Sequence, residues 1–193
     1  MKRIILLVTL MALSGCDALF NSLSGVYNLA NCEYKYNSLT NLSVSGMNLS
    51  QGLTALMIPK VLTILEGKAT SIPMNFTLNL DVKNPNTGTA AFQALNYIIS
   101  IDDMKVTTGN FNKAFSVGAG EQQVLPMDLG FDIAELIKTN SKDAVLNIVK
   151  NFIGIGDKAS TVTVQLKPSF KVGEQTFTSP VYIPVSFSFG GGK

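Results

Sequence analysis

Apolar and polar positions alternate along most of the chain with a period of two. Ile72, Met74, Phe76, Leu78, Leu80 and Val82 alternate with polar neighbours such as Asn75, Thr77, Asn79 and Asp81. This predicts a strand with one buried and one wet face, the signature of an antiparallel sheet. Val181, Ile183, Val185, Phe187 and Phe189 share one phase, and Val162, Val164, Leu166, Phe170 and Val172 share another. Further strands are expected at Leu95–Ile101, Met104–Thr108, Leu125–Phe131 and from about Cys32 to Val44. Asp102-Asp103 and Gly173-Glu174 read as hairpin tips. At Gly46 the phase moves to Met47 and Leu49, which suggests a bulge. About seven strands separated by turn signals predict a β-sandwich.

Two segments depart from this period. Leu53, Leu56, Met57, Val61, Leu62, Ile64 and Leu65 have helical spacing, with Pro59 expected to kink or split the helix. Ile133, Leu136, Ile137, Ala144, Val145, Ile148, Val149 and Phe152 form a longer stripe, divided at Asn140-Ser141 and ended at Gly154 and Gly156. Asp132, with Glu135 three residues later, suits an N-cap. The stripe either caps one open end of the sandwich or forms a lid over an apolar ligand. In the second case Ile137, Ile148 and Phe152 are the candidate contacts.

The first residues follow a different logic. In MKRIILLVTLMALSGC, Lys2 and Arg3 precede an apolar run from Ile4 to Leu13 that is too short to span a bilayer as a helix. It closes on Leu13-Ser14-Gly15-Cys16, which resembles the lipobox of bacterial lipoproteins. The resemblance implies a signal peptide over 1–15, cleaved before a lipidated Cys16. It also implies a tether over 16–25 and a single folded domain over 26–193. The protein would then sit in the bacterial cell envelope, facing the periplasm or the exterior, with a membrane as its first partner.

Charge and composition narrow the chemistry. Removing Lys2 and Arg3 takes two from the 15 basic residues and leaves them equal to the 13 acidic ones. A neutral body does not favour nucleic-acid binding. Arg3 is the one arginine, and histidine and tryptophan are absent from these 193 residues. A Cys-His nucleophile therefore cannot be assembled within them. Cys32 reads as a small apolar residue at a strand start. Asp102-Asp103 reads as a solvated tip rather than a cation site, and no metal or cofactor is expected. A hydrolase using Asp102, Asp103, Asp128 or Cys32 has no motif behind it.

The segment Val82-Lys83-Asn84-Pro85-Asn86, followed by Leu95 to Ile101, Gly109 and Val124 to Phe131, resembles the type 2 late embryogenesis abundant domain. The likeness runs from Phe76 to Asp132 and extends to the first and last strands. It implies an immunoglobulin- or fibronectin-like antiparallel β-sandwich with a helix, and the two helical stripes make the expected fold mainly β with one or two inserted amphipathic helices. It implies no enzymatic activity and an association with dehydration and other stresses. The insert at Asp132–Gly154 and the helical stretch before Pro73 depart from the family pattern. Asn84, Pro85 and Asn86 are expected to have a structural task. Proline cannot donate a ladder bond, and asparagine bonds nearby backbone. Two functions follow as expectations. One is a non-catalytic, membrane-anchored stress-protective, structural or interaction module. The other is a carrier of lipid or another apolar ligand. The expected partners are the membrane and a lipid or envelope protein.

Overall fold

The computed structural model describes residues 24–50, 54, 57–66, 69–172 and 174–191. The leader, Cys16, the tether up to residue 23, Leu53, Leu56 and Gly173 lie outside the described residues, as do the side chains of Leu62, Leu65 and Val172. Helix α1 is described over residues 24–30 and so reaches back into the segment assigned to the tether. The elements that follow are β1 (Glu33–Val44), β2 (Met47–Asn48), α2 (Ile58–Glu66), β3 (Pro73–Lys83), β4 (Ala90–Phe92), β5 (Ala94–Ile101) and β6 (Met104–Phe111). The chain continues through β7 (Phe115–Val117), β8 (Gln122–Asp132), α3 (Ile133–Thr139), α4 (Lys142–Phe152), β9 (Ala159–Val172), β10 (Gln175–Thr178) and β11 (Ile183–Gly190).

The expected seven strands correspond to those of eight residues or more: β1, β3, β5, β6, β8, β9 and β11. The short strands β2, β4, β7 and β10 were not anticipated. All described pairings are antiparallel, as the alternation required. One sheet runs β2-β1-β3-β8. The other runs β10-β9-β5-β6, with β11 also paired to β9. β9 is 14 residues long, and one of its edges pairs with β11 over 159–166 and then with β10 over 169–172. β4 and β7 form a separate two-stranded ribbon.

The inner faces of the two large sheets share one core. Met74, Phe76, Leu78, Leu80 and Val82 of β3 are buried, as are Leu125, Met127, Leu129 and Phe131 of β8. From the second sheet come Leu95, Ile99, Ile101, Val162, Val164 and Leu166. Burying one large aliphatic side chain contributes roughly 1.5–3 kcal/mol, so the alternating pattern is itself the main folding force.

Three expectations are corrected. Ser45 and Gly46 both have positive φ, 47° and 78°, and join Val44 to its partner Met47 as a two-residue hairpin loop rather than a bulge. The irregularities in β1 lie instead between Tyr36 and Ser38 and between Thr40 and Ser43, the second around Asn41 at φ 55°. Pro59 does not split its helix. It sits in the first turn of α2, where a missing N–H costs nothing. Val181 does not continue the buried stripe of β11: it precedes the strand and is exposed. The Asp102-Asp103 tip is as expected, with φ values of 50° and 63° between the paired residues Ile101 and Met104.

The division of the second helical stripe at Asn140-Ser141 is also as expected. α4 ends in a Schellman arrangement: Gly154 N donates to Asn151 O at 3.2 Å and Ile155 N to Lys150 O at 2.9 Å, with Gly154 at φ 78°. α3 begins at Asp132, whose Oδ1 accepts from Ala134 N at 2.8 Å and from Glu135 N at 3.4 Å. The same oxygen accepts from Ile72 N at 2.9 Å, just before β3. One carboxylate thus caps the helix and fastens the start of β3 to the end of β8.

Burial tends to raise the Asp132 carboxyl. The Ile72 amide, the Ser71 hydroxyl and the Ala134 and Glu135 amides outweigh it and hold the group below its ordinary value. A depressed folded-state pKa gives stability that is present above the unfolded value of about 3.9 and is lost as pH falls through the folded value. Asp132→Ala should therefore lower stability at neutral pH by about 1 kcal/mol. In urea titrations its difference from the native chain should shrink as pH drops below about 4. A difference independent of pH would contradict this role.

Candidate functional site

Asn84 ends β3 and is fully buried. Its Nδ2 donates to Gly88 O at 2.9 Å, Val117 O at 3.0 Å and Gly118 O at 3.0 Å. Its Oδ1 accepts from Asn86 N at 3.0 Å and from Asn86 Nδ2 at 2.7 Å. Its backbone accepts from Gly120 N and donates to Glu121 O, both at 2.9 Å. Asn86 Nδ2 also donates to Asn28 O of α1 at 3.0 Å, and Asn28 Nδ2 reaches Thr89 O at 3.1 Å. Pro85 stands between the two asparagines with no donor to place. The motif therefore knots α1, the end of β3, the approach to β4 and the β7–β8 turn. Every polar atom of the Asn84 side chain is used internally, so a ligand finds none of them vacant.

The insert residues also face inward. Ile148 is fully buried and Phe152 is 8% exposed. The Phe152 ring lies 4.7 Å from Phe76, 5.0 Å from Phe189 and 6.0 Å from Phe131, measured between centroids. Ile137 is half-buried against the same core. Beneath Phe152, the gap bounded by Tyr36, Phe76, Ile99, Leu129 and Phe189 has a volume of about 10 Å³. A second apolar gap, near Leu29, Tyr34 and Leu166, is also about 10 Å³. Such volumes admit at most one water and no acyl chain.

Sequence reasoning missed Asn151. It lies within the apolar end of α4 and is buried. Nδ2 donates to Lys158 O at 2.7 Å and to Ser160 Oγ at 2.8 Å, while Oδ1 accepts from Gly191 N at 3.2 Å. This amide ties the helical cap to the start of β9 and the end of β11. A Cβ on Gly190 would strike the Asn151 side chain, and Gly190 has φ 71°. The one-letter pattern offered no signal beyond a polar residue inside an apolar stripe. Gly109, by contrast, was noted as part of the family pattern, and its reason is now visible. It pairs with Tyr97, whose ring occupies the space a Cβ would need.

The acidic residues do not converge. Asp128 accepts from Thr77 Oγ1 at 2.7 Å, Asp132 caps α3, and Glu135 pairs with Lys138. Among the described residues, no group of three or more His, Cys, Asp or Glu is placed to hold a metal. Asp102 belongs to an open groove of about 510 Å³ with Asp143, Asn147, Lys150, Asp157 and Lys158, where both signs of charge are mixed. The half-buried Cys32 thiol donates to Asn28 O at 3.3 Å, and burial pushes its pKa up to about 11. It is therefore a poor nucleophile at neutral pH. Among the described residues, no helix is long and apolar enough to cross a membrane.

The geometry describes a β-rich module whose distinctive polar motif is a structural knot. Residues 79–187 match the family described as late embryogenesis abundant protein, type 2. The chain belongs to this family. Among solved structures, the solution structure of an Arabidopsis thaliana protein is similar at 10% identity, covering 83% of this chain and 82% of its own, with TM-score 0.43. A crystal structure of a protein from Archaeoglobus fulgidus is similar at 12% identity, covering 82% and 99%, with TM-score 0.37. A solution structure described as that of a candidate late embryogenesis abundant protein has 11% identity, covers 98% and 89%, and gives TM-score 0.37. No curated protein matches the chain.

Removing the Asn84 carboxamide strips three carbonyls of a donor and Asn86 of its acceptor. Asn84→Ala should destabilise the fold by about 3 kcal/mol, and Asn86→Ala by about 1 kcal/mol, in urea unfolding. Equal losses would show that Asn84 is not the centre of the knot.

Proposed function

We propose that this chain is a non-catalytic lipoprotein of the bacterial cell envelope, anchored through Cys16, with a stress-protective or structural role. The match to the late embryogenesis abundant family carries the proposal. Membership of that family suggests a stress-related role without catalysis. The leader pattern ending in Leu13-Ser14-Gly15-Cys16 supports the anchor. Acyl chains contribute on the order of 0.8 kcal/mol per buried methylene, so two or more hold a protein durably at a bilayer. The seven long strands, three in one sheet and four in the other, support reading the fold as an immunoglobulin- or fibronectin-like sandwich.

One structural observation suits a protein that must endure drying. Among the described residues, no buried side-chain nitrogen or oxygen lacks a hydrogen-bond partner. Interior polar groups that depend on ordered water lose their partners when water is withdrawn. Here Asn84 and Asn151 are satisfied by the chain itself. The carrier reading gains no such support, because Ile148 and Phe152 are used in the core and the apolar gaps are about 10 Å³ each.

Two measurements in the native bacterium test the proposal. Labelled palmitate should enter the wild-type protein and not the Cys16→Ser variant. A deletion strain should survive drying less well than its parent, with survival restored by the wild-type gene. Absence of label in the wild type refutes the anchor, and equal survival refutes the protective role.

A further inference from the structure

Three large apolar side chains stand exposed at one end of the second sheet: Phe177 at 41%, Val181 at 62% and Tyr182 at 40%. They belong to β10 and to the loop before β11. Phe177 pairs with Phe170 of β9, and the two rings stack at 5.6 Å. Tyr182 lies beside Lys167, whose Nζ is 5.1 Å from the ring centroid. Positions 167 and 170 differ by an odd number, so their side chains leave opposite faces of β9. Aromatic surface therefore wraps both faces of this sheet end. The loop is held in place. Ser179 N donates to Pro168 O at 2.8 Å, Ser179 Oγ donates to Val181 O at 2.9 Å, and Val181 N donates to Ser179 Oγ at 3.2 Å. The exposure of Val181 is thus imposed by a bonded turn.

The chain enters the domain at the same end. Gly25 lines a groove with Phe170 and Lys171, and Leu29 shares an apolar gap with Leu166, Pro168 and Ile183. Residue 24 lies eight positions beyond Cys16, and a chain of eight such steps reaches at most about 29 Å. An acylated Cys16 would hold this end within that distance of a bilayer. The other end of β9 lies about 43 Å away, at roughly 3.3 Å per residue. There the helical insert is fastened, through Asn151 to Lys158 O and Ser160 Oγ. Charge at the near end also suits a membrane. From 165 to 182 the chain carries Lys167 and Lys171 against a single acid, Glu174.

We propose that Phe177, Val181 and Tyr182, flanked by Lys167, rest in the headgroup layer of the membrane that holds the lipid anchor. Tyrosine suits this layer because its ring is apolar and its hydroxyl is wet. Lysine is attracted to anionic lipid phosphates. The contact turns a tether into an orientation: the β9–β10 end faces the bilayer and the α3–α4 cap faces away. The inference rests on the lipoprotein reading of Cys16, and the experiment separates the two.

The native chain has no tryptophan, so single-tryptophan variants report cleanly. Tyr182→Trp, Phe177→Trp and a control at the far end of β9, Lys158→Trp, are made in the full chain. Each is placed in phosphatidylglycerol–phosphatidylethanolamine vesicles whose acyl chains do or do not carry bromine, and mass spectrometry records acylation of Cys16. The near-end tryptophans should lose about half of their emission to brominated lipid, because a side chain seated roughly 5–10 Å deep meets the quencher, while Lys158→Trp should not change. Unquenched near-end tryptophans on an acylated chain overturn this orientation and leave the lipoprotein reading standing. If Cys16 carries no lipid, the lipoprotein reading fails. Quenching of the unacylated chain then still supports the face, and its absence overturns it. A second copy or another protein seated on this surface would leave all three tryptophans unquenched and overturn the proposal.

Discussion

The architecture depends on one buried carboxamide. Asn84 sits where β3 must stop, and its side chain replaces the ladder partners that the strand end gives up. It serves the carbonyls of Gly88, Val117 and Gly118 while accepting from Asn86. Those bonds hold together segments up to 34 residues apart in sequence. A side chain in this place has to donate and accept at once, which a carboxylate or an aliphatic group cannot do. Pro85 then adds stiffness without presenting an N–H that would need a partner. The two sheets are joined by their apolar faces, but this knot decides where the chain leaves one and turns toward the other.

A second amide does the equivalent work at the far end. Asn151 joins the helical cap to the beginning of β9 and the end of β11, with Asp132 securing the start of the same insert. Between these anchors the cap closes the core with Ile148, Val149 and Phe152 rather than covering a cavity. The Phe152 ring completes a cluster with Phe76, Phe131 and Phe189, drawn from β3, β8 and β11. The insert at Asp132–Gly154, which departs from the family pattern, thus packs its apolar side chains into the core.

The two ends thus have different surfaces. The capped end presents a groove with mixed charge beside α4. The end where the chain enters presents aromatic and aliphatic side chains beside lysines. The family to which the chain belongs is generally non-enzymatic.

The period-two alternation by itself determined the seven long strands, their antiparallel pairing and which side of each is buried, because side-chain alternation is local geometry. The helix division at Asn140-Ser141 and the Asp132 cap were legible for the same reason, since capping is decided within a few residues. Asn84-Pro85-Asn86 was legible as a strand stop, and its resemblance to a family supplied the class of fold. Tertiary structure decided the rest. Whether Gly46 marks a bulge or a hairpin depended on Met47 finding Val44 across the turn. The β4–β7 ribbon pairs two short segments that the Asn84 bonds to Gly88 O and Val117 O help to hold side by side. Val181 left the buried stripe because Ser179 holds its loop outward. Asn151 acquired its role from three backbone and side-chain partners 7 to 40 residues away. Local patterns record which face of an element is apolar, but the partners of a buried amide and the exposure of a loop are set by distant segments that meet only in the folded chain.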